Sequence, residues 1–534
     1  MRVYAGPSAG VAVVALAYRS AVMSRVPDVI GVVGAGTMGA GIAQLACLAG
    51  ARTLLHDPDA GALERALERI PAALERGAAK GRWSAGDAAA ARGRLEPAAR
   101  LEDLAPCSFV IEAAPESLAI KRELFERLSR LAPSAVLASN TSSIPVTAIA
   151  GAAADPGRVV GMHFFNPAPV MRLVEVVAGL ESTEEALHTA RATGEAMGRR
   201  VIDAADGPGF LVNRCNRPFG LEGLKLLGER VADVEAIDRV CRLGGGFRMG
   251  PFELSDLVGV DVGLEVARSF HEQSFGEPRW RPSPLAAQLV AAGRLGRKSG
   301  RGWYGYADGP YRPEDPPPPP AGGGDGRLVV IAGDLPVADE LRGLAAAAGW
   351  AAVEPLAAEG EVPWLAIDCG AQPDEPPLQG GPMALLCADG SLHALDPGGG
   401  AVGFHAAPPL DGAALVELTR TATTTAVAAQ RAEAFFTSLG RHVEWVQDAP
   451  GLVLGRIVCQ LINEACFAVG EGVGTPADVD DGMVLGLNHP RGPFQWLEAI
   501  GIPHVLAVLD ALHVELGEER YRAAPMLRRL AATT

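Results

Sequence analysis

The sequence lacks an excess of positive charge, paired cysteines and long apolar runs. Its 534 residues carry a formal net charge of −16, whereas nucleic acids and anionic membranes attract basic surfaces. The eight cysteines show no CxxC pair and no metal-ligand spacing, so we expect buried thiols in a reducing, cytoplasmic compartment and no metal site. No apolar run reaches the roughly 20 residues that a membrane span needs. Neither a nucleic acid nor a membrane is therefore an expected partner.

The first residues and the rest of the chain follow different patterns. The apolar stretch AGVAVVALAY could pass for the core of a secretory signal, but Met23 lies just before the first predicted strand, so a loose N-terminal tail explains it more simply. From Asp28 a short apolar strand, a glycine-rich turn, a long helix and the strand ARTLLHD follow one another. This order predicts a parallel sheet covered by helices.

Helical periodicity replaces the strand pattern from Gly209 to about Leu295. Residues 311–326 then change from a proline run to a glycine run, which is typical of a linker. Another strand, turn and helix follow, and a second helical stretch begins at Pro450.

The two halves of the chain repeat each other at an offset of 242 residues. His163 corresponds to His405 and Glu175 to Glu417, and the register needs no gap over residues 161–259. Before residue 161 the register breaks, and the second copy is shorter. The repeat predicts a duplicated two-domain unit.

The glycine-rich turn GAGTMG, residues 34–39, predicts a dinucleotide site. It follows a strand and opens a helix, and Asp57 ends the next strand about twenty residues on, as the fingerprint requires. The helix N-terminus would hold the phosphates, and Asp57 would bind the ribose hydroxyls and repel a 2′-phosphate, which favours NAD over NADP. The predicted contacts are Gly34, Gly36, Thr37, Met38, Gly39 and Asp57.

The corresponding turn in the second half, VVIAGDLPVADELRG, is expected to be degenerate. We find no convincing equivalent of the first glycine there, Pro336 enters the phosphate turn, and no acidic residue is expected to close the following strand. The fold class predicted from these patterns is therefore an α/β Rossmann-type domain plus an all-α domain, both duplicated. The predicted ranges are a tail over 1–27, the Rossmann domain over 28–207, a helical domain over 208–306, a linker over 307–326, a degenerate Rossmann-like domain over 327–448 and a second helical domain over 449–534.

Polar residues in the first half suggest a catalytic group. The motif SNTSS follows the strand AVLA, and ligands bind at the carboxyl ends of strands in an open parallel sheet. Glu175 lies amid apolar residues, where a carboxylate needs a partner, and His163 is the nearest candidate. A histidine held by a carboxylate can transfer a proton.

Taken together, GAGTMG, SNTSS, HFFNP, LVEVV, GPGFLVNR and GRKSGRGWY closely resemble the L-3-hydroxyacyl-CoA dehydrogenase family. The match runs in order from about Asp28 to Tyr306. The second half resembles the extra C-terminal unit of long members, of the 3-hydroxyadipyl-CoA or 3-hydroxybutyryl-CoA dehydrogenase type. The resemblance implies an enzyme that passes a hydride from the substrate to NAD in fatty-acid β-oxidation or in the breakdown of aromatic acids such as phenylacetate.

The resemblance also implies a role for each matching residue. His163 would be the general base for the 3-hydroxyl, Glu175 would orient it, Ser142 would bind the reacting oxygen, and Asn213 would hold the carbonyl end of the acyl-CoA. The positions that match family contacts around the nicotinamide half of NAD are Glu116, Lys121, Asn140, Asn166 and Lys298. Lys80 and Arg82 are candidates for the CoA phosphates.

The second His–Glu pair is interpreted as a structural relic. Asn213 corresponds to Gly455, and no SNTSS motif precedes His405, although His405 and Glu417 are expected to satisfy each other. The linked second copy would provide the partner against which the first helical domain packs, so that the two form a pseudo-dimer within one chain. A homo-oligomer is also possible. Two other functions remain as alternatives: a non-catalytic, crystallin-like relative, and a dehydrogenase of a non-CoA hydroxy acid.

Overall fold

The protein is described from a computed structural model that covers residues 26–307, 309–358, 361–370 and 381–533. The predicted tail therefore lies almost wholly outside the described residues. The chain divides into two compact units between Gly207 and Pro208. The finer domain ranges stay predictions.

The first unit is an eight-stranded sheet with helices. The strands occur in the order β3-β2-β1-β4-β5-β6-β7-β8, and all neighbours are parallel except β6 and β7. The first six positions follow the strand order of a Rossmann fold, which confirms the predicted sheet type. The strands are β1 Val29–Val33, β2 Arg52–His56, β3 Leu95–Ala98, β4 Phe109–Glu112, β5 Val136–Ser139, β6 Val159–Phe164, β7 Leu173–Ala178 and β8 Arg200–Ala205.

The central strands of this sheet are buried on both faces, as in other parallel sheets covered by helices. An apolar core of valine, isoleucine, leucine and alanine therefore lies between the sheet and its helices. The helices of the first unit are α1 Thr37–Leu48, α2 Ala60–Ala79, α3 Ala85–Arg92, α4 Leu118–Leu131, α5 Val146–Ala150 and α6 Glu184–Ala196.

The antiparallel pair β6–β7 fixes the position of the predicted catalytic residues. His163 on β6 lies directly opposite Glu175 on β7. Residues that face each other in an antiparallel pair have Cβ atoms about 5 Å apart. The twelve-residue spacing thus covers the end of β6, the connection over residues 165–172 and the first residues of β7.

The second unit begins with helices and continues into a second sheet. Its seven strands occur in the order β10-β9-β11-β12-β13-β14-β15, and only β13 and β14 are antiparallel. The strands are β9 Leu328–Ala332, β10 Ala351–Val353, β11 Leu365–Asp368, β12 Met383–Leu386, β13 Val402–His405, β14 Leu415–Thr419 and β15 His442–Val446. The helices are α7 Val212–Cys215, α8 Arg217–Gly228, α9 Val234–Arg239, α10 Pro251–Val258, α11 Val260–Gln273, α12 Pro284–Ala291, α13 Pro336–Ala347, α14 Leu392–Leu395, α15 Ala426–Ser438, α16 Leu454–Gly470, α17 Pro476–Asp481, α18 Pro493–Ile500, α19 Ile502–Leu516 and α20 Pro525–Ala531.

Helices α8 and α16 pack on each other at the centre of the second unit. Nearly every residue of α16 is buried, as expected for a helix surrounded by others. All eight cysteines are buried and belong to no disulfide, which confirms the prediction of buried thiols. Within the described ranges no single helix is long and apolar enough to cross a membrane, and one pair, α18 with α19, meets the length and composition test only across a 102° bend.

Reciprocal ion pairs join the two helical segments. Arg214 contacts Glu464 at 2.8 Å and Glu471 at 2.7 Å, while Arg456 contacts Glu222 at 2.9 Å and Glu229 at 2.5 Å. The offset of 242 residues relates Arg214 to Arg456, and it relates Glu222 and Glu229 to Glu464 and Glu471. Each arginine therefore contacts the glutamates of the other segment. The contacts are thus reciprocal, as in an interface with two-fold symmetry.

We expect substitution of Arg456 by Met to lower the free energy of unfolding by about 3 to 5 kcal/mol, because the buried Glu222 and the partly buried Glu229 both lose the arginine that contacts them most closely. Urea denaturation followed by tryptophan fluorescence measures this, since all tryptophans except Trp83 lie in the second unit. Arg528→Met is the matched control, because its pair with Asp510 is half-exposed and worth at most about 1 kcal/mol. Equal losses in both variants would contradict the importance of the buried pairs.

Candidate active site

The glycine-rich turn between β1 and α1 is shaped for a close ligand. Gly34 has a φ of +102°, and a Cβ there would lie 2.5 Å from the Ala113 carbonyl oxygen. A Cβ on Gly39 would lie 1.8 Å from the Gly34 oxygen, whereas one on Gly36 would meet nothing within 4 Å. The first and third glycines are therefore needed for internal packing, while Gly36 leaves open space beside the backbone.

Helix α1 begins at Thr37 without a side-chain cap and without an acidic residue in its first turn. The first N–H groups of a helix have no partner inside it, so those of Thr37 and Met38 can bind a phosphate oxygen. These features fit the pyrophosphate of a dinucleotide.

Asp57 lies beside this turn, directly after β2. One carboxylate oxygen accepts from the Ala35 N–H at 2.7 Å and the other from the Asp59 N–H at 2.9 Å. Each oxygen keeps a second lone pair, so the carboxylate is oriented and can still accept from ribose hydroxyls. Sequence reasoning missed Arg69, which donates to the Gly36 carbonyl at 2.9 Å. Nothing in the sequence distinguishes it from the other charged residues on the exposed face of α2.

His163 and Glu175 form a tight buried pair. The His163 Nδ1 to Glu175 Oε2 distance is 2.6 Å, and the side chains are 8% and 0% exposed. The Phe165 ring lies against the imidazole, with centroids 4.6 Å apart. Because Nδ1 faces the carboxylate, the neutral ring carries its proton there and leaves Nε2 as the proton acceptor.

A second carboxylate group supports the SNTSS loop. Glu112, at the end of β4, accepts from the Lys121 ammonium at 2.7 Å and from the Ser139 hydroxyl at 2.6 Å. Glu116 accepts from the Thr141 hydroxyl at 2.7 Å and the Ser142 N–H at 3.0 Å. Burial alone would raise the pKa of the Glu116 carboxyl, but the charge of Lys121 and these hydrogen bonds together hold the pKa below its usual value.

Lys121 is buried between Glu112 and Glu116, so it lies in an internal ion pair that supports the SNTSS loop. Its predicted contact with the nicotinamide half stays a prediction. Sequence reasoning also missed Glu112, whose position at the end of a buried strand was the available signal.

Asn140 and Ser142 follow β5 and face different partners. The Asn140 side-chain oxygen accepts from the Phe164 N–H at 2.9 Å, which ties the loop to the strand that carries His163. The Ser142 hydroxyl makes no hydrogen bond with any described residue and can therefore serve a ligand.

The remaining predicted residues are more dispersed. Asn166 is exposed after β6, and Lys80 and Arg82 are exposed in the turn after α2. Asn213 and Lys298 belong to the second unit, where Lys298 pairs with Asp261 at 2.8 Å and Asn213 lines a cavity.

The expectation that His405 and Glu417 satisfy each other is wrong. They lie opposite each other on β13 and β14, but His405 Nε2 contacts His504 Nε2 at 3.1 Å, and Glu417 accepts from the Val453 and Leu454 N–H groups at 2.7 and 3.0 Å. Among the described residues, His405 Nδ1 has no partner.

The absence of a side chain at Gly455, the counterpart of Asn213, explains the different arrangement. A Cβ at Gly455 would lie 2.3 Å from the His405 ring, so the ring occupies that space. Burial lowers the pKa of His405 well below its usual value and that of His504 to about 4, and burial raises the pKa of Glu417 to about 8. The nitrogen that would accept a substrate proton is thus already engaged.

Two details of the degenerate turn also differ from expectation. Gly333 follows β9 with a φ of +102°, as Gly34 follows β1, so the first glycine does have an equivalent. Glu354 directly follows β10, so an acidic residue does close that strand. Both residues are recognised only once the ends of β9 and β10 are known, and the apolar pattern places those ends only approximately. Pro336 nevertheless begins α13 and has no N–H to offer a phosphate.

Comparison with known proteins agrees with this geometry. Residues 29–207 match the family model "3-hydroxyacyl-CoA dehydrogenase, NAD binding domain", and residues 209–306 and 451–534 both match its C-terminal domain. The chain is 35% identical to 3-hydroxyadipyl-CoA dehydrogenase of Escherichia coli K12, over 94% of this chain and 97% of that protein. It is 40% identical to 3-hydroxybutyryl-CoA dehydrogenase of Mycobacterium tuberculosis, over 53% and 100%.

A solved structure is similar along 95% of the chain. The crystal structure of 3-hydroxybutyryl-CoA dehydrogenase from Escherichia coli K12 superposes with a TM-score of 0.80 at 33% identity, and it covers 95% of this chain and 98% of that one. Fold and site therefore define an NAD-dependent oxidoreductase. The chain belongs to the 3-hydroxyacyl-CoA dehydrogenase family, whose members oxidise 3-hydroxyacyl-CoA thioesters.

We expect substitution of Asp57 by Asn to weaken NAD binding about tenfold and to raise the relative use of NADP, because the charge that binds the ribose and repels a 2′-phosphate is lost. Titration with both cofactors, read by fluorescence, measures the preference. Asp59→Asn is the matched control, since Asp59 is an exposed helix cap two residues away. An unchanged ratio of NAD to NADP affinity in Asp57→Asn would remove Asp57 from the ribose site.

Proposed function

We propose that the chain oxidises L-3-hydroxyacyl-CoA at one catalytic centre, with His163 as the general base. The buried contact of 2.6 Å between His163 and Glu175 is the observation that carries this proposal. Bound NAD supplies the hydride acceptor. His163 Nε2 takes the proton of the substrate 3-hydroxyl, and Glu175 keeps the ring in the required tautomer and stabilises its charged form.

The other roles follow from chemistry and resemblance. The Ser142 hydroxyl donates to the reacting oxygen, and the Glu116 carboxylate keeps the Ser142 backbone in place through its N–H. Asn213 holds the carbonyl end of the thioester. Lys80 and Arg82, both exposed, contact the CoA phosphates. We place the reaction in the cytoplasm, in the breakdown of fatty or aromatic acids.

His163→Gln should lower kcat by roughly 10² to 10⁴, the usual contribution of a positioned acid–base group, with little change in NADH binding. NADH absorbance with acetoacetyl-CoA as the substrate of the reverse reaction measures it. The control His188→Gln changes an exposed histidine on α6 and should retain activity. Turnover in His163→Gln equal to that of the unchanged chain would exclude His163 as the base.

The same assay separates the alternatives. A non-catalytic relative would show no turnover even with intact His163 and Glu175. A dehydrogenase of a free hydroxy acid would turn over 3-hydroxybutyrate without CoA. Either result would contradict the proposed function.

We further propose that the second half is a degenerate duplicate of the first. Support comes from the matching strand orders, the reciprocal ion pairs and a shared cap. Asp238 accepts from the N–H groups at the start of α10, and Asp480, its counterpart, does the same for α18. The duplicated helical segments form a pseudo-dimer within one chain.

If the second His–Glu pair is a relic, His405→Gln should leave kcat within about twofold of the unchanged chain, because the residue contributes nothing to the transition state. NADH titration of the full chain should give one site per chain. A tenfold loss of kcat in His405→Gln, or two NADH sites, would show that the second pair is active.

A further inference from the structure

An arginine on α2 contacts the backbone of the glycine-rich turn. Arg69 Nη2 donates to the Gly36 carbonyl oxygen at 2.9 Å and to the Ala35 carbonyl oxygen at 3.3 Å. Asp57 holds the other side of Ala35, because its carboxylate accepts from the Ala35 N–H at 2.7 Å. A cation and an anion are thus both anchored to the part of the turn that a dinucleotide approaches most closely.

The charge of Arg69 is not paired with an acid. Arg65, one turn earlier on the same helix, pairs with Asp59 at 3.5 Å, whereas no described carboxylate forms an ion pair with Arg69. Both contacts of Arg69 use Nη2, so the N–H groups on Nε and Nη1 have no partner among the described residues. Because Arg69 is also exposed, these donors are open to a ligand.

The degenerate turn of the second sheet shows the opposite arrangement. Arg342 on α13 donates to the Gly333 carbonyl oxygen at 2.6 Å, so an arginine contacts that turn as well. Its guanidinium, however, pairs with Asp339 at 2.8 Å and with Glu354 at 3.6 Å. The arginine is therefore paired with acids at the turn where no dinucleotide is expected, and it is unpaired at the turn that fits one.

The dinucleotide site needs more positive charge than the helix N-terminus supplies. Each phosphate of the NAD pyrophosphate carries a negative charge, whereas the start of a helix is equivalent to about half a positive charge. Asp57 adds a negative charge beside the turn, and the charge of Lys121 is used by two glutamates. Among the described residues, Arg69 is the cation that contacts this turn and has no paired acid.

We propose that Arg69 is a further cofactor-binding residue, whose free guanidinium N–H groups contact the pyrophosphate of NAD while Nη2 stays on the turn. The contacts with the two carbonyl oxygens already fix the charge in place, which lowers the entropic cost of ordering a long side chain when the ligand binds. The proposal concerns NAD binding and is independent of the substrate, so its test and that of the proposed function are separate.

The test is titration calorimetry of the full chain with NAD and no substrate. Arg69→Met should weaken NAD binding about three- to tenfold, between the effects of losing an exposed ion pair and a buried charge-assisted hydrogen bond. ADP-ribose, which keeps the pyrophosphate and lacks the nicotinamide, should lose affinity by the same factor. Arg76→Met is the matched control, because Arg76 is an exposed arginine on the same helix, about 10 Å further along it. It should bind NAD as the unchanged chain does.

The salt dependence of NAD binding distinguishes a charge contact from a structural role. Salt screens the attraction between exposed charges, so raising the salt concentration should weaken NAD binding more in the unchanged chain than in Arg69→Met. Arg69→Lys keeps the charge and should keep both the salt dependence and part of the affinity. If Arg69 only tethered α2 to the turn, Arg69→Met would lower the melting temperature and the affinity but leave the salt dependence unchanged, and the proposal would be wrong.

Other results would also overturn the assignment. NAD affinity in Arg69→Met equal to that of the unchanged chain would remove Arg69 from the cofactor site. An equal loss in Arg76→Met would show a general effect of net charge. A loss confined to NADP would place the guanidinium at a 2′-phosphate instead of the pyrophosphate. None of these results depends on turnover, so each leaves the proposed dehydrogenase function unaffected.

Discussion

A charge removed from water must meet an opposite charge or several hydrogen bonds, and this requirement organises most of the protein's polar interior. Glu175 is fully buried and is paired with His163. Glu112 is equally buried and is satisfied by Lys121, Ser139 and a backbone N–H. His163 is the proposed general base. Lys121 and Ser139 support the SNTSS loop, which carries Ser142. The pairing that makes burial tolerable thus also fixes the geometry of the site.

The same requirement shows what sequence reasoning could and could not predict. The order of strand, glycine turn and helix predicts the Rossmann-type sheet, and an acidic residue in an apolar strand predicts a partner for Glu175. Neither pattern predicts the rotamer that a side chain adopts. His405 and Glu417 repeat the spacing of the first pair, yet their side chains turn to His504 and to two backbone N–H groups. The difference originates at Gly455, far away in the sequence, where the loss of one side chain opens space for the ring.

Strand ends were the other weakness of the sequence patterns. Gly333 and Glu354 were not recognised as counterparts of the first glycine and the closing acid, because apolar runs do not define where a strand stops to within one residue. Arg69 could not be found at all, since its contact with the Gly36 carbonyl depends on how α2 packs beside the turn. Contacts between elements that are distant in sequence carry no local signal.

The two halves of the second unit show how one interface can be kept while a site is lost. The arginines and glutamates that join the two helical segments are retained in both copies, because removing any one would weaken a network of buried and partly buried charges. Residues around the cavity are under no such constraint, and there the copies differ: Asn213 and Arg217 correspond to glycine and cysteine. The second copy has the buried Cys459 and Ile462 at the positions of Arg217 and Gly220. The segment that keeps the ion pairs has therefore filled the volume that its counterpart leaves open.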